Sequence, residues 1–200
     1  MLLLESIQIK NGKPQRLSYH NQRLHKSREQ LFCNLEPLFL EEHIEVPSHF
    51  QKGIVKCRII YDAQLRSITF EPYQHRKIDS FYLVSVEMDY SFKYADRHEF
   101  NQLKSAYPDS SEIILVKNGF ITDSTYSNLI FKDLKGKWWT PQQPLLAGTQ
   151  REYLLDDGRI EETSIRPEDL PNYSHFKLIN AMLDMEESEL YDVHQIINIM

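Results

Sequence analysis

A lysine with an aromatic residue on each side stands in the segment Ser91-Phe92-Lys93-Tyr94-Ala95-Asp96-Arg97. An apolar run over residues 81–86 precedes it and a helix-like segment over 98–104 follows, which predicts that Lys93 lies between a strand and a helix. Because burial disfavours the ammonium form, a half-buried lysine can present a neutral, nucleophilic amine near neutral pH. Schiff-base formation requires such an amine. The alternative is a solvated surface lysine.

An acid followed by small hydroxyl residues forms a second unusual segment, Thr122-Asp123-Ser124-Thr125-Tyr126-Ser127-Asn128, which leads into an apolar run. Asp123 follows a predicted turn, and its carboxylate could therefore point into a cleft. The alternative is a local turn in which the hydroxyl and carboxyl groups bond to the neighbouring backbone.

Two further segments contain residues suited to binding an anion. Gly148 precedes a predicted helix, where a glycine permits close approach of the backbone and free N–H groups can bind phosphate. Arg23 lies on a predicted amphipathic helix, from which its guanidinium can reach a phosphate as a bidentate donor. The alternatives are an ordinary helix start and a surface arginine whose aliphatic stem packs on the protein.

A nucleophilic lysine, an acid, a phosphate-binding helix start and an arginine together are the groups that pyridoxal phosphate chemistry needs. The lysine holds the cofactor aldehyde, and the acid keeps the pyridine nitrogen protonated so that the ring can accept electrons from a carbanion. Backbone N–H groups and the arginine hold the phosphate.

Taken in order, these segments resemble the class IV aminotransferases, the fold-type IV pyridoxal phosphate enzymes. The family includes branched-chain and D-amino-acid aminotransferases and aminodeoxychorismate lyase. The resemblance covers nearly the whole chain and depends on the order of the segments, since each is common alone. The matching segments are Leu4-Glu5-Ser6-Ile7, His20-Asn21-Gln22-Arg23-Leu24, Phe92-Lys93-Tyr94-Ala95-Asp96-Arg97, Thr122 to Asn128, Thr140-Pro141, Leu146-Ala147-Gly148-Thr149-Gln150-Arg151 and Asn180-Ala181-Met182.

The resemblance implies a role for each matching residue. Lys93 would form the Schiff base and carry protons, Arg23 would hold the phosphate, and Asp123 would pair with the pyridine nitrogen. Arg58 and Arg97 would bind substrate, although Arg58 is equally explained as an exposed cation on a strand. The other residues expected to bind the cofactor are Ser127, Asn128, Gly148, Thr149, Gln150, Asn180 and Ala181.

The chain departs from the family pattern at several positions. Asp123 stands where the family usually has a glutamate, so the ring must lie closer or a water must bridge. Leu4 replaces a tyrosine of some aminotransferases, and Gln150 replaces a threonine whose hydroxyl touches phosphate in many members. The chain also begins near the first family strand, so the N-terminal domain is expected to be shortened.

The resemblance implies an enzyme that acts on a small amino compound. The pattern from Lys93 to Arg97, the Asn180-Ala181 pair and the absent tyrosine at Leu4 favour an aminodeoxychorismate lyase, which forms 4-aminobenzoate and pyruvate. The alternatives are an amino-acid aminotransferase of the branched-chain or D-amino-acid type and a catalytically reduced homologue that binds a small ligand. Family members are usually homodimers, so a homodimer is expected.

The implied fold class is α+β with two domains. A small N-terminal α/β sandwich would cover residues 1–74, and a larger C-terminal pseudo-barrel domain over residues 75–200 would carry the lysine. The pattern predicts strands over 2–9, 54–61, 67–73, 112–117 and 120–131. It predicts a helix over 19–32 capped by Ser18, a second helix from Gly148 to about Leu155, and tight turns at Asn11-Gly12 and Asn118-Gly119.

Composition excludes several classes of protein. The chain has 200 residues and a net charge of −6 without a long basic block, which argues against a general nucleic-acid binder. Cys33 and Cys57 lie among apolar residues and are predicted to be buried free thiols, as expected in the cytoplasm. The apolar run at Leu2 ends at Glu5 without a basic segment before it, so neither a signal peptide nor a membrane span is expected, and no metal site is predicted.

Overall fold

A computed structural model of the chain describes residues 1–33 and 35–198. It has the mixed α/β content, with extensive sheets and few helices, that the sequence predicted. Its strands are β1 (Leu3–Lys10), β2 (Lys13–Pro14), β3 (Ile54–Tyr61), β4 (Leu65–Pro72), β5 (Ser80–Ser85), β6 (Ser111–Lys117), β7 (Phe120–Ser124), β8 (Asn128–Asp133), β9 (Trp138–Pro141), β10 (Glu161–Thr163), β11 (Tyr173–Ile179), β12 (Tyr191–Asp192) and β13 (Ile196–Asn198). Its α-helices are α1 (Leu17–Leu31), α2 (His98–Lys104) and α3 (Thr149–Asp156), and short 3-10 helices cover Leu40–Glu42, Ser48–Phe50, Pro167–Asn172 and Val193–Gln195.

The chain divides into two compact units. The first comprises Met1–Gln74 together with Phe92–Asp96, and the second comprises the other described residues. Lys93 therefore groups with the N-terminal unit, whereas the sequence assigned it to the domain of residues 75–200. The reason is a set of main-chain hydrogen bonds that ties this short segment to β1.

The first unit is built on an antiparallel sheet with the strand order β2-β1-β3-β4. Strand side chains alternate between the two faces, and Val55, Cys57 and Ile59 of β3 are buried on one face as the alternation predicted. Leu24 of α1 joins the same buried cluster. The predicted turn at Asn11-Gly12 is confirmed, since both residues have positive φ.

The start of α1 differs from the prediction. Ser18 was predicted to cap this helix, but the helix begins at Leu17 and no side chain makes a capping hydrogen bond. The chain instead enters the helix through Arg16, whose backbone is left-handed with φ of 53°. The entry is therefore set by backbone conformation, which the capping pattern did not reveal.

The second unit contains a larger sheet with the strand order β10-β9-β8-β7-β6-β5-β13, and β11 pairs with β8 and with β12. Its core includes an aromatic cluster in which the Phe81 ring lies 4.7 Å from both Phe176 and Tyr191, in edge-to-face arrangement. Such pairs stabilise a core beyond simple apolar burial. The predicted tight turn is confirmed by positive φ at Asn118 and Gly119.

One predicted strand is in fact two. Residues 120–131 were expected to continue as a single strand, but β7 ends at Ser124 and β8 begins at Asn128. Ser124 N–H donates to the Ser127 carbonyl at 2.8 Å, and Ser127 N–H donates to Ser124 Oγ at 3.0 Å. These bonds close a local turn. The alternative given for this segment, hydroxyl groups that bond to the neighbouring backbone, therefore holds for Ser124.

The two cysteines differ in exposure. Cys57 is buried, as predicted, but Cys33 is exposed, which corrects the expectation of two buried thiols. Cys33 follows the C-terminal end of α1 at Leu31, where apolar neighbours in the sequence do not guarantee a position in the core. Within residues 1–33 and 35–198, every helix is too short or too polar to cross a lipid bilayer.

Candidate active site

Lys93 is half-buried and held by its backbone to the first strand of the N-terminal unit. Its carbonyl accepts a hydrogen bond from Leu4 N–H at 2.9 Å, and Ala95 N–H donates to the Leu2 carbonyl at 2.9 Å. The Phe92 and Tyr94 rings pack against the apolar cluster of this unit. The main-chain bonds to residues 2 and 4 and the packing of the two rings thus fix the position of Lys93 in this unit.

Arg23 lies in a buried polar cluster of the same unit. Its Nε and Nη2 donate to the two carboxylate oxygens of Glu5 at 2.8 and 2.5 Å, and His20 Nδ1 lies 2.5 Å from Glu5 Oε2. Burial alone would raise the pKa of Glu5, but the Arg23 charge and the hydrogen bonds from both partners lower it to about 2. Burial lowers the pKa of His20, so its imidazole is neutral near pH 7.

Arg58 belongs to a different face of this sheet. Ser6 pairs with Arg58 and Glu5 pairs with Ile59 across β1 and β3. Since successive side chains on a strand point to opposite faces, Arg58 and Glu5 project on opposite sides. The structure therefore does not bring Arg58 to the Glu5–Arg23 cluster, and its role in binding substrate stays a prediction.

Asp123 is the centre of the polar cluster in the second unit. It is 5% exposed and pairs with Asn128 where β7 meets β8. Asn128 Nδ2 donates to its Oδ1 at 2.7 Å, and Leu146 N–H donates to its Oδ2 at 3.0 Å. Burial raises the pKa of Asp123 to about 6, more than these hydrogen bonds lower it. Two donors thus orient the carboxylate, and a cation placed beside it would favour its ionised form.

The backbone at Gly148 passes so close to Asn128 that only a glycine fits there. A Cβ at position 148 would lie 2.0 Å from Asn128 Oδ1, far inside van der Waals contact. Asn128 cannot easily yield, because its Nδ2 also donates to the Leu146 carbonyl at 2.9 Å. The φ of Gly148 is −80°, so this glycine is needed for space and not for an unusual backbone.

Helix α3 follows directly, and its first two residues are polar and buried. Thr149 and Gln150 are 2% and 1% exposed. Gln150 Oε1 is buried and has no hydrogen-bond partner among the residues that the structure describes. Leaving such an atom unpaired costs roughly 1–3 kcal/mol, so this end of α3 is suited to a ligand or a bound water.

Ser127 and Asn180 meet at another edge of this cluster. Asn180 Nδ2 donates to Ser127 Oγ at 2.8 Å, and Asn180 Oδ1 accepts from Met182 N–H at 2.8 Å. Reciprocal backbone bonds between Asn180 and Leu183 close the turn that contains Ala181. The structure therefore connects the late loop to the turn between β7 and β8.

Arg97 is bound to the same turn. Its Nη2 donates to the Thr125 carbonyl, and its guanidinium lies 4.6 Å from the centre of the Phe100 ring. The buried carboxylate of Glu112 accepts from Thr125 Oγ1 at 2.6 Å and from Thr125 N–H at 3.2 Å. Arg97 thus supports the turn in this structure, and its predicted contact with substrate is untested.

Sequence reasoning assigned no role to Glu5, His20 or Glu112. A signal for Glu5 was available, because it occupies the register of Leu3 and Ile7 on the buried face of β1. A carboxylate at a core position of an alternating strand needs buried partners, since an unpaired charge there is costly. The i, i+3 spacing of His20 and Arg23 on α1 supplies them.

Comparison with known proteins assigns the chain to a family. The model of the amino-transferase class IV family matches residues 2–186. The chain belongs to this family. Class IV aminotransferases depend on pyridoxal phosphate, so this chain is an enzyme of a pyridoxal phosphate-dependent family.

Particular relatives agree with this assignment. An uncharacterized protein of Haemophilus influenzae is 39% identical over 183 residues, which cover 90% of this chain and 97% of the relative. A crystal structure from Haemophilus somnus 129PT, described as a candidate 4-amino-4-deoxychorismate lyase, is 35% identical with a TM-score of 0.85 and covers 92% of this chain and 97% of that one. A hypothetical aminotransferase from Mycobacterium tuberculosis in its PLP-bound form shares the fold, with a TM-score of 0.78, 17% identity and coverage of 98% and 81%.

Each unit of this family member carries groups that suit the family's cofactor. The second unit offers an oriented, buried carboxylate at Asp123, a glycine at the helix start and the unpaired Gln150 Oε1. The first unit offers the Lys93 amine and the Arg23 guanidinium. These groups match an aldehyde, a ring nitrogen and a phosphate in chemical type.

Proposed function

We propose that this chain is a pyridoxal phosphate-dependent lyase that converts 4-amino-4-deoxychorismate to 4-aminobenzoate and pyruvate. The observation that carries the cofactor chemistry is the buried Asp123 carboxylate, which two donors orient. The choice of a lyase is supported by the similarity to the Haemophilus somnus protein over 92% of this chain.

Each residue has a defined task in this proposal. Lys93 would hold the cofactor through its aldehyde, and its Nζ amine, once freed by the substrate amine, would accept the proton from the substrate carbon that bears the amine. Asp123 would stay ionised beside the protonated ring nitrogen of the cofactor, because a nearby cation favours the charged form of a carboxylate. When bound, pyridoxal phosphate supplies an electron sink for the carbanion that proton removal leaves.

Phosphate binding is assigned to Arg23 and to backbone groups. Gly148 allows the chain to approach an anion closely at the start of α3, and Thr149 and Gln150 bring N–H groups to that end. The turn at Ala181 is assigned a further contact with the phosphate. Ser127, Asn128 and Asn180 hold these segments in place.

The finer architecture and assembly belong to the same proposal. We propose that the first unit corresponds to the N-terminal sandwich of fold-type IV and that the second corresponds to its pseudo-barrel domain. We also propose a homodimer, which the family resemblance supports, and a cytoplasmic location, which the low cysteine content supports.

A covalent-trapping experiment tests the cofactor chemistry. Borohydride reduction of the purified protein should fix a pyridoxyl group on Lys93, detected by peptide mass spectrometry, and the visible absorbance should disappear from Lys93→Ala. Lys104→Ala is a matched control, because Lys104 is also half-buried but lies on α2 outside the proposed site. A label on another lysine, or a covalent chromophore in Lys93→Ala, contradicts the proposal.

An aminotransferase is the second candidate, because the family is named for that activity. Product analysis distinguishes it from the lyase. Pyruvate released from 4-amino-4-deoxychorismate without a 2-oxo acid supports the lyase. Strict dependence of turnover on an added 2-oxo acid supports the aminotransferase. Loaded protein that performs neither reaction indicates a homologue that only binds a ligand.

A further inference from the structure

The polar cluster on β1 and α1 has an unusual composition for the interior of a small unit. Glu5 and His20 are fully buried, and the Arg23 side chain is 12% exposed. Burying a carboxylate is expensive unless it is paired and hydrogen-bonded, and replacing such groups by apolar residues is often neutral or stabilising. Stability alone therefore does not explain why a carboxylate, an imidazole and a guanidinium meet there.

The geometry of the pair fixes the plane of the guanidinium. Glu5 accepts from Nε and Nη2 of Arg23, which are the donors on one edge of the group. A guanidinium has five N–H donors in a rigid fork, so a carboxylate bound at this edge directs the edge formed by Nη1 and Nη2 away from Glu5. That second edge has the spacing for two oxygens of a phosphate.

His20 fixes the carboxylate in turn. Its Nδ1 lies 2.5 Å from Glu5 Oε2, the oxygen that also accepts from Arg23 Nη2. A carboxylate oxygen only accepts, so the neutral imidazole donates through its Nδ1–H. The carboxylate is therefore held by donors from two residues, and its rotation would break both contacts.

We propose that Glu5 and His20 are positioning residues that orient Arg23 toward the cofactor phosphate. This inference rests on the proposed function, in which Arg23 binds that phosphate. It assigns Glu5 and His20 no contact with cofactor or substrate. Their effect is on the recognition of the phosphate group and not on the recognition of the pyridoxal ring.

Two aldehydes that differ only in the phosphate separate positioning from folding. The dissociation constants of the cofactor-free protein for pyridoxal and for pyridoxal phosphate are measured by absorbance titration. The constant for pyridoxal divided by that for pyridoxal phosphate reports recognition of the phosphate. Glu5→Asp keeps the negative charge but shortens the side chain by one methylene. The ratio should fall about 10- to 100-fold in this variant, as expected for a lost charge-assisted hydrogen bond.

His20 provides a second test that changes no charge. His20→Phe removes the donor to Glu5 and should also lower the ratio, whereas His20→Asn places an amide N–H near the position of Nδ1 and should restore most of it. Glu71→Asp is the matched control, since Glu71 pairs with Lys56 on the exposed side of the same sheet. It should leave the ratio unchanged.

The outcomes are distinguishable. Wild-type protein that binds neither aldehyde, or binds both equally, contradicts the proposed function. Wild-type protein with a high ratio that persists in folded Glu5→Asp and His20→Phe overturns the positioning role. If circular dichroism shows that both variants are unfolded, a crystal structure of the wild-type holoenzyme decides, because a phosphate-bound Arg23 that has left Glu5 also overturns it.

Discussion

Replacement of Gly148 by alanine should destabilise the second unit through one specific contact. The new Cβ would lie 2.0 Å from Asn128 Oδ1, so the Asn128 side chain must rotate away. Rotation breaks its hydrogen bonds to Asp123 at 2.7 Å and to the Leu146 carbonyl at 2.9 Å. A bond to a charged group contributes about 2 kcal/mol and a neutral one about 1, so we expect a loss of about 3 kcal/mol in the free energy of unfolding.

The assay is urea unfolding followed by tryptophan fluorescence. Trp138 and Trp139 are the two tryptophans of the chain and lie in the same unit as Gly148, so their signal reports the affected region. In thermal unfolding followed by the same signal, the melting temperature should fall by roughly 6 to 12 °C for a loss of that size. Because φ at Gly148 is ordinary for any residue, no backbone strain contributes to the change.

A double-mutant cycle identifies the contact responsible. Asn128→Ala alone should cost a similar amount, since it removes the same two hydrogen bonds. Adding Gly148→Ala to Asn128→Ala should then cost close to nothing, because the colliding atom is absent, and the coupling should be about 3 kcal/mol. Two additive losses, or wild-type stability in Gly148→Ala, would refute this reasoning.

Three further predictions concern other parts of the chain. The pKa of Glu5 is lowered from 4.5 to about 2, so its ionised form contributes about 3 kcal/mol to the free energy of unfolding above pH 4.5, and this contribution is lost as the pH falls toward 2. Urea unfolding across this range should therefore depend less on pH in Glu5→Gln than in the wild type. An unchanged pH dependence contradicts the ion pair of Glu5 with Arg23. A thiol reagent should label Cys33 in the folded protein and Cys57 only after unfolding, because burial raises the pKa of Cys57 to about 12; rapid labelling of both thiols counts against this. Light scattering should give the mass of a homodimer, and an active monomer contradicts that proposal.

Sequence patterns predicted the strands, helices and turns that are determined by residues close together in the sequence. The bounds of β3 and α2 match the alternation of residues 54–61 and the helix-like composition of residues 98–104. Asn118-Gly119 forms the predicted turn because both residues tolerate positive φ. The sequence also singled out Asp123, since an acid among hydroxyl residues before a buried strand is unusual, and the structure buries its carboxylate; its functional role stays a prediction.

The remaining features depend on contacts between residues distant in sequence. Arg23 was predicted to bind an anion. Its carboxylate partner Glu5 lies 18 positions away, and although the register of Glu5 on β1 signals a need for partners, only the packing of α1 on β1 shows that Arg23 is one of them. The need for glycine at position 148 arises from Asn128, which no pattern around Gly148 indicates. Tertiary contacts also decide exposure, which is why Cys33 was misjudged.

The turn between β7 and β8 has a consequence for the thermodynamics of ligand binding. Glu112 and Arg97 hold Thr125 in place, and Asn180 holds Ser127, all by hydrogen bonds within the protein itself. A ligand that binds to this turn does not have to freeze a mobile loop, so little of its interaction energy is spent on conformational entropy. Calorimetry should accordingly show a small entropic penalty for that part of the association, and loosening the turn through Glu112→Gln should enlarge the penalty.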